Sequence, residues 1–79
     1  MESVELRLTR CFAGVFPTLR VSEIPALHQD LTETWDSLAS ATLFAVIQDE
    51  FRVEIEPKDF LNLNSFDALA NYLHEHAPL

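Results

Sequence analysis

The sequence predicts an all-α fold: a small bundle of three main helices plus one short helix, with a long loop between the first and second helices. Three observations point there. Apolar residues recur at helical spacing in separated segments, Pro17 and Pro57 fall at segment boundaries, and 79 residues with 48% hydrophobic content make one small core.

Val4, Leu8, Cys11, Phe12 and Val15 share one side of a helix, so residues from about 3 to about 15 form a first amphipathic helix that Phe16-Pro17 stops. Gly14, near that end, fits the stop. Residues 17 to about 35 hold Pro17 and Pro25 and no sustained period, and a loop of that length in a compact chain needs anchors. Leu19, Val21, Ile24, Leu27 and Leu31 can supply them, with a turn of helix near Pro25 to Gln29.

The second helix spans residues 37 to 51, and on a wheel of about 100° per residue its faces separate. Ser40, Leu43, Phe44, Ile47 and Phe51 make a core face, while Leu38, Thr42, Ala45 and Asp49 make a small, mildly apolar face edged by Gln48, Asp49 and Glu50. That second face is suited to accepting another protein, although scattered apolar surface residues are also ordinary. Val53-Glu54-Ile55 reads as a short extended link, Pro57 opens a short third helix running to Leu61, and Ser65 caps a last helix from about 66 to 76 with Phe66, Leu69 and Leu73 inward.

Thirteen acids against five bases give a net charge of -8, which disfavours nucleic acid, whose phosphates would be repelled, and favours basic partners. The charge is uneven: residues 1–20 carry two acids and three bases, net +1, whereas residues 21–79 carry eleven acids and two bases, net -9. No apolar run approaches the roughly 20 residues that span a bilayer, and the amino-terminal residues lack the basic start and apolar stretch of a secretory signal. The expectation is a cytoplasmic monomer without membrane insertion. The single cysteine, Cys11, sits among apolar residues and reads as a buried structural thiol.

Asp36-Ser37-Leu38, where the loop meets the second helix, carries the most information. Asp and Ser are ordinary N-cap residues, and a helix start accounts for them on its own. Yet a serine in a first helical turn lies beside backbone N–H groups without intrahelical partners and beside the positive end of the helix dipole, where an esterified phosphate is well placed.

Asp36-Ser37-Leu38, the core-spaced Phe44, Ile47 and Phe51, the run Phe51-Arg52-Val53-Glu54-Ile55 and the run Phe66 to Leu73 together resemble the acyl carrier protein family, peptidyl carriers included, over about residues 35 to 75. The resemblance implies one acyl-carrier-like domain over residues 1–79 that is not an enzyme. It implies a 4'-phosphopantetheine group, taken from coenzyme A, esterified to Ser37 and holding an acyl or aminoacyl cargo as a thioester, with Asp36 and Leu38 recognised by the modifying enzyme. Leu38, Thr42, Ala45, Asp49 and Glu50 become the partner-binding residues. The implied partners are a phosphopantetheinyl transferase, an acyl- or aminoacyl-loading ligase, and acyltransferases or condensing enzymes of fatty acid, polyketide or nonribosomal peptide biosynthesis.

Two departures stand out. Thr34-Trp35 occupies the place where the family often has glycine two residues before the aspartate, so Trp35 either covers the base of the arm or pins the loop to the core, the latter being the common role of a lone aromatic. The second helix, which the fatty acid carriers line with acids, has Ala39, Thr42 and Gln48 at exposed positions, which implies a discrete carrier from a specialised pathway.

The rival reading is a small acidic helical interaction module, an adaptor or inhibitor without a prosthetic group, in which Ser37 is only a cap. A hydrolase built on Ser37, Asp36 and His28 lacks a nucleophile elbow and an oxyanion hole. His74 and His76 flank Glu75 at a spacing that points them to different sides of a helix, which does not make a metal site.

Overall fold

The computed structural model describes residues 3–77; Met1, Glu2, Pro78 and Leu79, the extremes of the expected 1–79 domain, lie outside them. Three α-helices follow in chain order, α1 (Val4–Val15), α2 (Ser37–Phe51) and α3 (Phe66–His76). Shorter 3-10 turns occupy Val21–Ala26, Gln29–Leu31 and Pro57–Asn62, and no strand forms among the described residues. The expected all-α bundle with one long loop is what the chain adopts.

Each helix starts as its sequence dictates. Ser3, Asp36 and Ser65 are the N-caps, their side chains accepting the backbone N–H of Leu6, Ala39 and Ala68. Pro57 opens the third 3-10 turn, where its missing N–H costs nothing. The end of α2 is closed without glycine: Arg52 takes the left-handed conformation at φ 52°. Gln48 makes this turn possible, its carbonyl accepting the Arg52 and Val53 N–H groups and its side-chain oxygen accepting the Ile55 N–H at 2.7 Å. Ile55, held there, is buried, so the extended link is an anchored segment.

Helix α1 is the one against which the others pack, meeting α2, α3 and the first 3-10 turn. Its Leu8 and Phe12 are fully buried, and Leu43, Ile47, Leu69 and Leu73 complete the centre from α2 and α3. Phe12 gathers an aromatic cluster with ring centroids 6.1 Å from Phe16, 5.3 Å from Trp35 and 5.5 Å from Phe66. At the opposite end Arg7 lies 4.4 Å over the Phe51 ring, pairs with the Glu50 carboxylate at 2.9 Å and donates to the Glu50 carbonyl at 2.7 Å. A cation thereby meets the negative end of the α2 dipole.

Four details of the sequence reading change. Gly14 does not stop α1; it lies inside the helix with no positive φ, and Phe16 with Pro17 makes the stop. Of the proposed loop anchors Ile24 and Leu27 are buried and Leu19 partly so, but Val21 and Leu31 are 62% and 86% exposed, the loop being held to the core through Ile24, Leu27 and Trp35 instead. The helical turn begins earlier than expected and contains Pro25, which a 3-10 turn tolerates while Glu23 and Leu27 still donate to Arg20 and Ile24. Finally, Ala39 and Gln48 are half-buried rather than exposed, since Ala39 packs on the core and Gln48 turns toward Ile55.

Two consequences can be measured. Phe44 is buried and stacked on Phe60, with centroids 4.5 Å apart, so Phe44→Ala should cost about 3 to 5 kcal/mol in chemical denaturation, a large share of a small domain's stability. Burial pushes the Cys11 thiol up from about 9 to about 11, so at pH 7 the native protein should react with iodoacetamide far more slowly than the unfolded chain. The same group's contribution to stability is complete below about pH 9 and is lost as pH rises toward about 11, because the folded thiol keeps a proton that the unfolded one releases.

Candidate functional site

The loop and α2 meet at Asp36-Ser37-Leu38. Asp36 is the N-cap, its Oδ1 accepting the Ala39 N–H at 2.8 Å, and Ser37 is the first residue of the helix. The cap is therefore the aspartate, and the bland account of Ser37 as a cap residue does not hold: its exposed hydroxyl has no hydrogen-bond partner among the described residues. A primary alcohol in that position is free to be modified without loss of a helix contact.

The chain entering this turn is fixed from the side. Trp35 is 2% exposed, packed edge-on against Phe12 with an interplanar angle of 83°, and its Nε1 donates to Ser40 Oγ at 2.8 Å. It pins the loop to the core, the second of its two sequence readings. Ser40, assigned from the wheel to the core face, lies at that face's edge, where its oxygen also accepts Gln29 Nε2 at 3.3 Å. The loop is further stitched to the start of α3: Gln29 N–H donates to the Asn64 carbonyl at 2.7 Å and Phe66 N–H to that of Leu27 at 3.0 Å.

Beside Ser37 opens a groove of about 450 Å³ whose apolar lining is Ala41, Phe44, Phe60 and Leu61 and whose polar lining includes Gln29, Asp30, Ser40 and Asn64. Leu61 is 87% exposed. A larger groove of about 630 Å³, between Arg52, Lys58, Asp59 and Tyr72, lies around the carboxyl end of α2, a helix length from Ser37. Lys58 pairs there with Glu56 and Tyr72 packs on His76, and the lining holds no serine or threonine to compare with Ser37.

The outward face of α2 carries Leu38, 77% exposed, with Thr42, Ala45 and Asp49 also exposed. The Thr42 hydroxyl is engaged with the Leu38 carbonyl at 3.1 Å, so this face presents methyl groups more than hydrogen-bonding groups. Ala41 and Val46 extend it, and the 100° projection could have included both. Glu50, exposed at the edge of this face, pairs through its carboxylate with Arg7 of α1. Phe60 and Leu61 were missed beside Ser37 because they come from a different segment, and no local pattern announces such a juxtaposition.

The side chains of the two rejected chemistries have other partners. His28 Nδ1 accepts the Asp30 N–H at 3.2 Å, capping the second 3-10 turn, and Asp36 is engaged with Ala39, so neither is hydrogen-bonded to Ser37. His74 meets Glu5 at 2.7 Å, and this contact holds the Glu5 carboxyl below its ordinary value while tying the end of α3 to the start of α1.

Comparison with known families matches residues 7–73 to the family described as phosphopantetheine attachment site, a span that includes Asp36, Ser37 and Leu38. Comparisons with curated proteins and with solved structures return no match. A family match over most of the chain joins a helical bundle with an exposed, unpartnered serine at a helix start. The chain belongs to the phosphopantetheine attachment site family, that of acyl and peptidyl carriers, which bear a covalent 4'-phosphopantetheine group and carry substrates for partner enzymes without being catalytic themselves.

Proposed function

We propose that Ser37 is the attachment point of the 4'-phosphopantetheine group and that the chain, as one domain over residues 1–79, presents an acyl or aminoacyl thioester to enzymes of a specialised biosynthetic pathway. The observation that carries this reading is the exposed hydroxyl of Ser37, unpartnered because Asp36 supplies the cap. In the loading reaction the Ser37 oxygen forms a bond to the pantetheine-side phosphorus of coenzyme A. The diphosphate bridge breaks, adenosine 3',5'-bisphosphate leaves, and the serine proton passes to a base of the transferase. When bound, the arm supplies a thiol whose thioester is activated for acyl transfer and held at high local concentration near each partner.

The residues present fit that group. The first-turn amides and the positive end of a 15-residue helix favour the phosphodiester, and the groove bounded by Phe44, Phe60 and Leu61 gives the arm a surface to lie against. Leu38, Thr42 and Ala45, with Asp49 at the far end, form the docking face for the transferase, the loading ligase and the acyltransferase or condensing enzymes. Glu50 contributes less directly, being paired with Arg7. No helix among the described residues is long and apolar enough to cross a membrane. That the carrier works in the cytoplasm as a monomer is part of the proposal.

Incubation with coenzyme A and a broad-specificity phosphopantetheinyl transferase, followed by intact mass, tests the assignment. Wild type should gain one phosphopantetheine and Ser37→Ala none, with the variant's stability within about 0.5 kcal/mol of wild type because the cap remains. A modified alanine variant, or a wild type that no transferase modifies, contradicts the reading and returns the chain to the interaction-module alternative.

The docking face makes a separate prediction. Ala45→Glu should stay folded yet slow loading, and Leu38→Ala should weaken transferase binding. Raising salt should lower mainly the association rate, since exposed ion pairs contribute only about 0 to 1 kcal/mol each while the net -9 of residues 21–79 steers encounter. Stopped-flow binding across a salt series, with Asp49 and Glu50 reversed in charge alongside, checks it. A dissociation rate that climbs steeply with salt while Leu38→Ala does nothing would move recognition to the acids.

A further inference from the structure

We propose that Ser40 is a positioning residue for the modification of Ser37: by accepting the indole N–H of Trp35 it locks the chain on both sides of Ser37 into one body and holds the serine in the conformation the transferase must meet. The proposal rests on the assignment of Ser37 as the attachment point.

Trp35 precedes Ser37 by two residues and Ser40 follows it by three. Trp35 cannot move freely, being 2% exposed, 5.3 Å from the Phe12 ring and 6.0 Å from that of Phe16. Its N–H, buried with the ring, needs an acceptor, and Ser40 Oγ is that acceptor at 2.8 Å. Two further bonds lie within the same short segment: Ala39 N–H to Asp36 Oδ1 at 2.8 Å and Ser40 N–H to the Asp36 carbonyl at 2.9 Å. Gln29 Nε2, reaching the same oxygen at 3.3 Å, brings the groove-lining part of the loop into the tie and occupies the hydroxyl's second lone pair. Ser37 and Leu38 are thus enclosed by cross-links that they do not themselves make.

Removing the Ser40 oxygen leaves the indole N–H without a partner inside an aromatic cluster. The chain relieves that cost by populating conformers in which Trp35 swings toward water and the Asp36-Ser37 turn loosens. Only the fraction that keeps the ordered turn then meets the transferase productively. The apparent affinity falls by that fraction, whereas the turnover of the bound, ordered complex does not change.

Steady-state loading of the full chain with coenzyme A and a broad-specificity transferase reads this split. Ser40→Ala should raise KM for the carrier about tenfold with kcat retained, and Ser40→Thr, which keeps the oxygen, should restore it. Trp35 is the single tryptophan, so its emission should shift to the red in Ser40→Ala and return in Ser40→Thr. Ser40 lines the groove and an enzyme could touch it, but Trp35 is buried and cannot be touched. Trp35→Phe, which keeps an aromatic ring but removes the N–H, loses the tie without leaving a buried donor unpaired, so it should raise KM by less than Ser40→Ala does, and adding Ser40→Ala to it should change KM no further. Wild-type KM in both single variants, or effects that multiply in the double variant, would overturn the proposal. A wild type that takes no label overturns the assignment of Ser37 and this role with it, a failure distinct from a labelled wild type whose variants load equally well.

Discussion

The contact between Phe12 and Trp35 is the constraint on which the rest of the structure depends. Phe12 is fully buried on the one helix that both other helices pack against, and the edge of Trp35 against its ring joins that centre to the residue immediately before Asp36 and Ser37. Phe66, also against Phe12, fixes the start of α3 at the same point, and the loop from Leu27 to Gln29 is stitched between them. The loop is long and contains no α-helix, yet its carboxyl end is as firmly placed as a helix. A carrier needs this combination: a rigid base from which a flexible arm can swing, and a surface that partner enzymes meet in one shape.

The charge distribution has a spatial counterpart. The basic amino-terminal helix sends Arg7 to the carboxyl end of α2, where it satisfies the Glu50 carbonyl and carboxylate and covers Phe51. Glu5 pairs with His74 on α3. Asp30, Glu33 and Asp36, close in sequence to Ser37, remain exposed, so the field around the candidate attachment point stays negative. Pairing of Glu50 with Arg7 at one end and the exposed acids at the other give α2 a polarity that its own sequence, with acids near both termini, does not display.

Much of this was legible in the chain. Helix limits followed from caps and prolines: Ser65 and Asp36 are N-caps, and Phe16-Pro17 ends α1, because capping chemistry is local and acts within one turn. The two faces of α2 were also readable, since the period of a straight helix sorts Phe44 from Ala45 without reference to the rest of the fold. What failed was non-local. Nothing near Gln48 says that its side chain will hold Ile55, nothing near Glu50 says that Arg7 will claim it, and Val21 and Leu31 look like anchors until the path of the loop is known. Ser40 was legible as a core-face position but not as the acceptor for Trp35, because that bond depends on the loop's path across Phe12.

The central claim is that one hydroxyl, that of Ser37, carries the arm. Proteolysis of the transferase-treated protein and fragmentation of its peptides would locate the modification to a residue. The account predicts phosphopantetheine on Ser37 alone, with Ser40 and Ser65 bare. A phosphopantetheine found on another serine, or on none after exhaustive treatment, would contradict it.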